Sequence, residues 1–188
     1  MKFKEGKTVD KFFVEKNGKK IEVIFRYPKM SDAKQLMDFI NKAIRETEFL
    51  AKVSKVKLSE EKKWLKDVIN EMRKGEEILI VVEANGKIIG DCSVKRNKKE
   101  VMRHIGVLAI ALLQDYTGLG IGSRLAKRIF EEAKKNGIEI IESSYYAKNN
   151  PSKKFHKKLG FKIIGVFPKG IKRKGKYSDH VIVYKNLK

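Results

Sequence analysis

The sequence predicts an α+β fold in which a mixed, mostly antiparallel sheet is flanked by helices. Two observations carry this prediction. Asn17-Gly18 and Asn85-Gly86 each separate two apolar runs, which is typical of β-hairpins. Helical patterns of apolar residues lie between the strand-like runs, and this mixture is typical of a layered sheet. The length of 188 residues predicts one domain over residues 1–188, with residues 1–20 as an N-terminal extension that supplies a hairpin strand.

The N-terminal half contains the two predicted hairpins and two predicted helices. Ser31 is the expected N-cap of the first helix and Ser59 that of the second, because serine oxygens accept hydrogen bonds from the free N–H groups at helix starts. Gly75 ends the second helix. In chain order the expected apolar segments are Phe12–Val14, Ile21–Phe25, the helical faces within Leu36–Ile44 and Trp64–Met72, and the strands Ile78–Val82 and Lys87–Val94.

The C-terminal half begins with an apolar run over Val101–Leu113, which predicts the central strand. After a glycine-rich segment, an amphipathic helix continues to Lys135 and stops at Asn136-Gly137. The remaining expected elements are a strand over Ile138–Ser143, a short helix within Ser152–Leu159, and strands near Phe161–Phe167 and His180–Lys185.

The glycine-rich segment Thr117–Ser123 joins the central strand to that helix. Glycines let backbone N–H groups approach phosphate oxygens, and the helix dipole favours negative charge at the same place. The segment therefore predicts an anion site. It is not a P-loop, because no Gly-Lys-Ser/Thr follows, and its spacing differs from the dinucleotide-binding fingerprint.

A second segment, Asn149–Phe161, follows the next predicted strand, and in this order the two segments resemble the GNAT superfamily of acyl-CoA-dependent N-acetyltransferases. The family's pyrophosphate motif, Arg/Gln-x-x-Gly-x-Gly/Ala, falls on Thr117, Gly120 and Gly122, so the usual Arg or Gln is absent. A histidine, His156, stands where most members have Tyr. The rest of the family's second pattern falls on Asn149, Ser152, Leu159, Gly160 and Phe161.

His156 and the tail Gly170–Asp179 are similar to the phosphinothricin and amino-acid N-acyltransferase branch. The resemblance implies transfer of an acetyl group from acetyl-CoA to a primary amine, of a small molecule or a protein N-terminus, without a metal. It implies that the backbone around Ile110–Leu112 binds the pantetheine arm. The residues expected to bind the cofactor are Ile110, Ala111, Leu112, Thr117, Gly118, Leu119, Gly120, Ile121, Gly122, Ser123, Asn149 and Phe155.

Acetyl transfer needs a neutral amine and a proton for the leaving thiolate. The strand over Val107–Leu113 contains no acid, so Glu142 on the next strand is the candidate base, with an outward-facing carboxylate as the alternative. His156 is the candidate acid near the coenzyme sulfur, and the alternative is a packing role. The other candidates, each with a structural alternative, are His104, Glu83, Tyr145, Tyr146 and Asp179.

The expected acceptor is an α-amine. Its pKa is near 8, against about 10.4 for a lysine side chain, so a weak base suffices to deprotonate it. An acidic cluster near the first two helices lies where the family usually builds its acceptor pocket, and it consists of Glu46, Glu48, Glu60 and Glu61. The sequence leaves the identity of the amine and the oligomeric state open.

The formal net charge of +21 suggests an alternative, a basic ribosome- or nucleic-acid-binding module on the same fold. The lysines are spread along the whole chain without a basic helix or an RNA-binding aromatic motif, which favours the enzyme. No apolar run or signal-peptide pattern indicates a membrane or secretion, so a cytoplasmic protein is expected. Abundant Lys, Glu and Ile suggest a thermophile. Cys92 is expected to be a buried thiol.

Overall fold

The two Asn-Gly turns close antiparallel hairpins in a computed structural model that describes residues 3–188. The first two positions of the predicted domain lie outside the described residues. The strands form one eight-stranded sheet in the order β1-β2-β3-β4-β5-β6-β8-β7, in which only β5 and β6 run parallel. Their bounds are β1 Thr8–Lys16, β2 Lys19–Arg26, β3 Glu77–Ala84, β4 Lys87–Arg96, β5 Ile105–Leu112, β6 Ile140–Tyr146, β7 Lys162–Arg173 and β8 Lys176–Asn186.

Four helices cover the sheet, and they are α1 Ala33–Glu46, α2 Leu58–Lys74, α3 Ile121–Lys135 and α4 Asn150–Lys158. The helices α1 and α2 pack together against β3 and β4, and α3 packs against β3, β4 and β5. Strand β3 is buried along almost its whole length, because helices cover both of its faces. The predicted α+β arrangement of a mostly antiparallel sheet with flanking helices is confirmed.

The predicted serine caps are wrong. Ser31 lies in a short 3-10 turn before α1, and Ser59 lies inside the first turn of α2. At both places the acidic residue directly after the serine accepts a free backbone N–H from three positions earlier in the chain. Asp32 accepts from Lys29 and Glu60 from Lys57, each at 2.9 Å. A carboxylate also interacts favourably with the positive end of the helix.

The central strand is shorter than predicted. Residues Glu100–Met102 form a 3-10 turn, in which the side chain of Val101 is 85% exposed, and β5 begins only at Ile105. The last two strands are longer than predicted and form a hairpin that turns at Lys174-Gly175. No helix among residues 3–188 is both long and apolar enough to span a bilayer.

Candidate active site

Strands β5 and β6 separate in the middle of the sheet. They pair only from Ile105 with Ile140 to Val107 with Glu142. Beyond these pairs β5 continues to Leu112 with its other edge still bonded to β4, whereas β6 turns to β8. Backbone groups of β5 that face the gap therefore have no strand partner, and an extended ligand can take the place of the missing strand.

The glycine-rich segment lies at the end of this gap. Gly118 and Gly120 adopt left-handed conformations, with φ of 77° and 79°, and α3 begins directly afterwards. Among the described residues, the amides of Gly118, Leu119 and Gly120 donate to no backbone acceptor. The first turn of α3 adds the free N–H groups of any helix start. The predicted anion site is therefore a continuous run of free backbone donors.

The three glycines differ in conformation. Gly122 is helical, and a Cβ there would stand 3.3 Å from the Leu112 side chain, so this position favours glycine for packing. The last position of the family motif also accepts alanine, which a helical residue such as Gly122 allows and a left-handed residue such as Gly120 does not. The conformations therefore agree with the motif spacing on Thr117, Gly120 and Gly122.

A cleft of about 400 Å³ occupies the gap, and its walls are the end of α1, strand β5, the glycine segment and α4. All the predicted cofactor-binding residues line it except Leu119 and Ile121. Leu119 packs against the core, and the side chain of Ile121 is completely buried. These two residues can therefore contribute only backbone N–H groups, and their role in cofactor binding stays a prediction.

Helix α4 presents two neighbouring residues to opposite sides. Its start is capped by Asn149, whose side chain accepts from the Ser152 amide at 3.1 Å. Phe155 lines the cleft, whereas His156 is 4% exposed and lies in the core, where it stacks on Tyr145 at a ring-centroid distance of 5.1 Å. One position along a helix turns a side chain by about 100°, which explains the difference.

Both ring nitrogens of His156 have partners inside the protein. Nδ1 lies 2.8 Å from the carbonyl oxygen of Ser152, so Nδ1 carries the proton. Nε2 is then an acceptor, and it takes the hydroxyl proton of Ser143 at 3.0 Å. Burial lowers the pKa of His156, which keeps the ring neutral. His156 thus connects α4 to β6 from behind the cleft, and its catalytic role stays a prediction.

Glu142, the candidate base, projects to the opposite face of β6 from Ser143, since side chains alternate along a strand. It is half-buried beside Val107 and Tyr184 and does not belong to the cleft lining. Its role also stays a prediction. The acid that does line the cleft is Glu46, at the end of α1, whose carboxylate accepts the Gln114 amide at 2.9 Å.

The other candidates have structural partners. Glu83 pairs with Arg26 at 2.9 Å, and Asp179 accepts the Lys169 amide at 2.9 Å. Within the acidic cluster, Glu60 caps α2, and neither it nor Glu61 lines a pocket. Cys92 is a buried free thiol, as predicted. No three His, Cys, Asp or Glu side chains between residues 3 and 188 lie close enough together to hold a metal.

A second pocket, of about 460 Å³, adjoins the cleft. It lies between the end of α1, the end of β6 and the β7–β8 hairpin, and Glu46, Thr47 and Phe49 line both spaces. Tyr146 closes one wall, because its hydroxyl donates to the Leu50 carbonyl at 3.3 Å and its ring packs against Phe49. Of the residues that line this pocket, the sequence places Glu46, Glu48 and Tyr146 near an acceptor. The predicted candidate on the hairpin, Asp179, lies outside the lining.

Comparison with known proteins agrees with this architecture. A family model for the acetyltransferase (GNAT) domain matches residues 25–182. The L-methionine sulfoximine/L-methionine sulfone acetyltransferase of Pseudomonas aeruginosa is 24% identical over 159 residues, which cover 84% of this chain and 91% of that protein. The L-amino acid N-acyltransferase MnaT of Escherichia coli is 26% identical over 102 residues, 54% of this chain and 59% of that protein.

Two solved structures have the same fold. A GNAT acetyltransferase from Streptococcus pneumoniae superposes with a TM-score of 0.78 at 25% identity, covering 87% of this chain and 99% of that one. The yncA acetyltransferase of Salmonella typhimurium, solved with its cofactor acetyl-CoA, gives a TM-score of 0.78 at 19% identity over 88% of this chain and 94% of its own.

Proposed function

Because the chain belongs to the GNAT family of acetyltransferases, we propose that it acetylates an α-amine, which enters through the second pocket and meets acetyl-CoA in the cleft. Like its family and relatives, the chain is an N-acetyltransferase that uses acetyl-CoA. The single observation that carries the proposed arrangement is that the two spaces are adjacent, with Glu46, Thr47 and Phe49 lining both.

The cleft fits a long anionic thioester. The free amides of Gly118–Gly120 and the start of α3 suit the pyrophosphate. The unpaired edge of β5 at Ile110–Leu112 suits the amide groups of the pantetheine arm, which then continues the sheet in place of β6. When bound, acetyl-CoA supplies an activated acetyl group on a thiol whose pKa is near 8.5.

The reaction needs one proton removed and one returned. The acceptor nitrogen loses a proton and attacks the carbonyl carbon, the C–S bond breaks, and the thiolate takes up a proton. In this proposal a backbone N–H on the unpaired edge of β5 stabilises the developing oxyanion. An α-amine pKa near 8 reduces the demand on a strong base.

Three side chains compete for the proton transfers. Glu46 lies at the junction of both spaces and is the one acid of the cleft lining. Glu142 lies on the sheet face beside Val107, close to where β5 and β6 separate. His156 lies behind Phe155. We propose Glu46 as the group that receives the ammonium, with Glu142 and His156 as the sequence-based rivals.

The alternative, a basic nucleic-acid-binding module, is not favoured. Acyl transfer uses the free loop amides, the separated strands and the two adjacent pockets. Nucleic-acid binding requires none of these features.

The test is acetyl-CoA-dependent thiol release with a panel of amines, measured beside RNA binding at two salt concentrations. The proposal expects thiol release that depends on an α-amine and exceeds the rate with a lysine side chain near pH 7. Steeply salt-dependent RNA binding with no amine-dependent thiol release would favour the binding module.

A further inference from the structure

The second pocket is strongly cationic. Its lining contains five basic residues against the two acids Glu46 and Glu48, and the basic residues are Arg45, Lys148, Arg173, Lys174 and Lys176. They come from the end of α1, the end of β6 and both strands of the β7–β8 hairpin. Arg173, Lys174 and Lys176 are neighbours in the sequence, and the fold brings Arg45 and Lys148 to the same pocket.

None of these five side chains forms an ion pair within residues 3–188. Every other arginine in the described residues 3–188 bonds to an acid or to backbone carbonyls, as Arg26 does to Asp32 and Arg124 to Asp10. Arg45 has no such partner. Lys148, Lys174 and Lys176 form no ion pair within residues 3–188. A cluster of unneutralised cations costs free energy through mutual repulsion unless an anion binds there.

Arg173 is held in place by backbone. Its Nη1 donates to the carbonyl oxygens of Leu50 and Lys52, which fixes the guanidinium at the wall of the pocket. Nε and Nη2 donate to nothing in the described part of the chain, so they remain available in a rigid geometry. A guanidinium of this kind suits a carboxylate, which it can bind through two parallel hydrogen bonds.

The hairpin turn gives an independent indication. Three hairpins of the sheet turn on a residue with positive φ followed by glycine. Two of them use Asn17 and Asn85, with φ of 52° and 50°, but the third uses Lys174, with φ of 46°. Asparagine tolerates this conformation better than lysine does. The third hairpin therefore has a cation at the pocket in the turn position that asparagine occupies in the other two hairpins.

We propose that this pocket, lined by Arg45, Lys148, Arg173, Lys174 and Lys176, selects acceptors whose α-amine is accompanied by two or more carboxylates. The inference rests on the proposed function, because it assumes that the acceptor α-amine enters here. The amine lies toward the end shared with the cleft, where Glu46 and Glu48 receive the ammonium. The carboxylates lie toward the hairpin and its cations. A polyamine is the opposite case, since the five cations repel it.

The first experiment compares matched acceptors at constant acetyl-CoA. The tripeptides Ala-Glu-Glu, Ala-Gln-Gln and Ala-Lys-Lys present the same amine with different charge, and free glutamate and glutamine form a second pair that tests a small-molecule source. We expect kcat/KM for Ala-Glu-Glu to exceed that for Ala-Gln-Gln roughly tenfold at low salt, and to approach it as salt rises. Ala-Lys-Lys should be the poorest acceptor. If glutamate is preferred over glutamine as well, a free amino acid is sufficient as the acceptor. If the preference is seen with the peptides alone, the acceptor is the N-terminus of a peptide chain.

The second experiment uses a variant that removes charge without straining the turn. Lys174→Asn places the residue of the other two hairpins in the same backbone conformation, so the fold should be kept or stabilised. Lys169→Asn is the matched control, because Lys169 also has a positive φ, of 55°, but lies outside the pocket lining. We expect Lys174→Asn and Arg45→Gln each to reduce the ratio of kcat/KM for Ala-Glu-Glu to kcat/KM for Ala-Gln-Gln about threefold, whereas Lys169→Asn keeps the wild-type ratio.

Two results overturn the inference in different ways. If wild-type protein acetylates Ala-Glu-Glu and Ala-Gln-Gln equally well at low salt, the carboxylate selection is wrong and the proposed function stands. If wild-type protein binds acetyl-CoA but acetylates no α-amine in either pair, the proposed function and the inference both fail. An equal loss of preference in Lys174→Asn and Lys169→Asn would show that the overall charge of the protein causes the preference. The proposed role of the pocket would then be wrong.

Discussion

The Nε2 atom of His156 lies 3.0 Å from the hydroxyl oxygen of Ser143, and this contact joins α4 to β6 beside the gap between the strands. With Nδ1 bonded to the Ser152 carbonyl, the imidazole has no free nitrogen to offer the cleft. His156 stands at a position that the family pattern predicts to be catalytic, but its contacts make it a connection between two walls of the site.

We expect His156→Ala to lower the free energy of unfolding by about 2–4 kcal/mol, because it leaves a cavity and unpaired polar groups on Ser143 and Ser152. Denaturant unfolding measures this, and kcat should fall less than tenfold at a temperature where the variant is folded. A fall in kcat of about 10²–10⁴ with unchanged stability would instead establish the general-acid role that the sequence suggests.

Glu46, which lines both pockets, should affect how kcat/KM depends on pH. We expect kcat/KM of the wild type to rise with pH through the pKa of the α-amine, near 8, and then to level. Glu46→Gln should lower kcat/KM most below pH 8 and least above it, because a neutral acceptor no longer needs the carboxylate. Glu142→Gln is the comparison, and a larger effect there than in Glu46→Gln would return the role to Glu142.

Burial of Glu61 should make stability depend on pH. Burial raises the pKa of Glu61 from 4.5 to about 7, and the side chain is 7% exposed. An acid whose pKa is raised on folding stabilises the fold below its unfolded pKa, and this stabilisation is lost as pH rises toward the folded pKa. Glu61→Gln should therefore be more stable than wild type by about 1–3 kcal/mol at pH 8, with the difference shrinking toward pH 5.

Thermal unfolding at both pH values measures this difference. Glu60→Gln is the matched control, since Glu60 is the exposed neighbour of Glu61 in the same helical turn and its replacement can still accept the Lys57 amide. A stability difference that does not change between pH 5 and pH 8 would contradict the role of burial.

Local chemistry predicted much of this fold. Asn17-Gly18 and Asn85-Gly86 specify hairpins through their own backbone preferences, and the glycine segment before α3 predicted a loop of free amides. The helix starts were misplaced because serine was the more obvious cap. The backbone N–H groups of Lys29 and Lys57 are instead bound by Asp32 and Glu60, each three residues after its donor.

Features that depend on distant parts of the chain were not predictable. Whether Phe155 or His156 faces the cleft depends on how α4 rests on the sheet. The cationic pocket joins Arg45 to Arg173, which are far apart in sequence and meet only because β8 lies between β6 and β7. The sequence shows the basic residues of the hairpin tail, but not that Arg45 and Lys148 lie beside them.

The most direct test of the account is calorimetric titration of acetyl-CoA into the wild-type protein and two loop variants. Gly120→Glu places a carboxylate and a Cβ where the loop has φ of 79° and open space, so it should abolish measurable binding. Gly137→Glu is the control, because Gly137 has φ of 76° and open space as well but lies at the far end of α3. The account predicts binding by the wild type and by Gly137→Glu, with none by Gly120→Glu. Equal affinity in all three proteins would contradict the assignment of the loop.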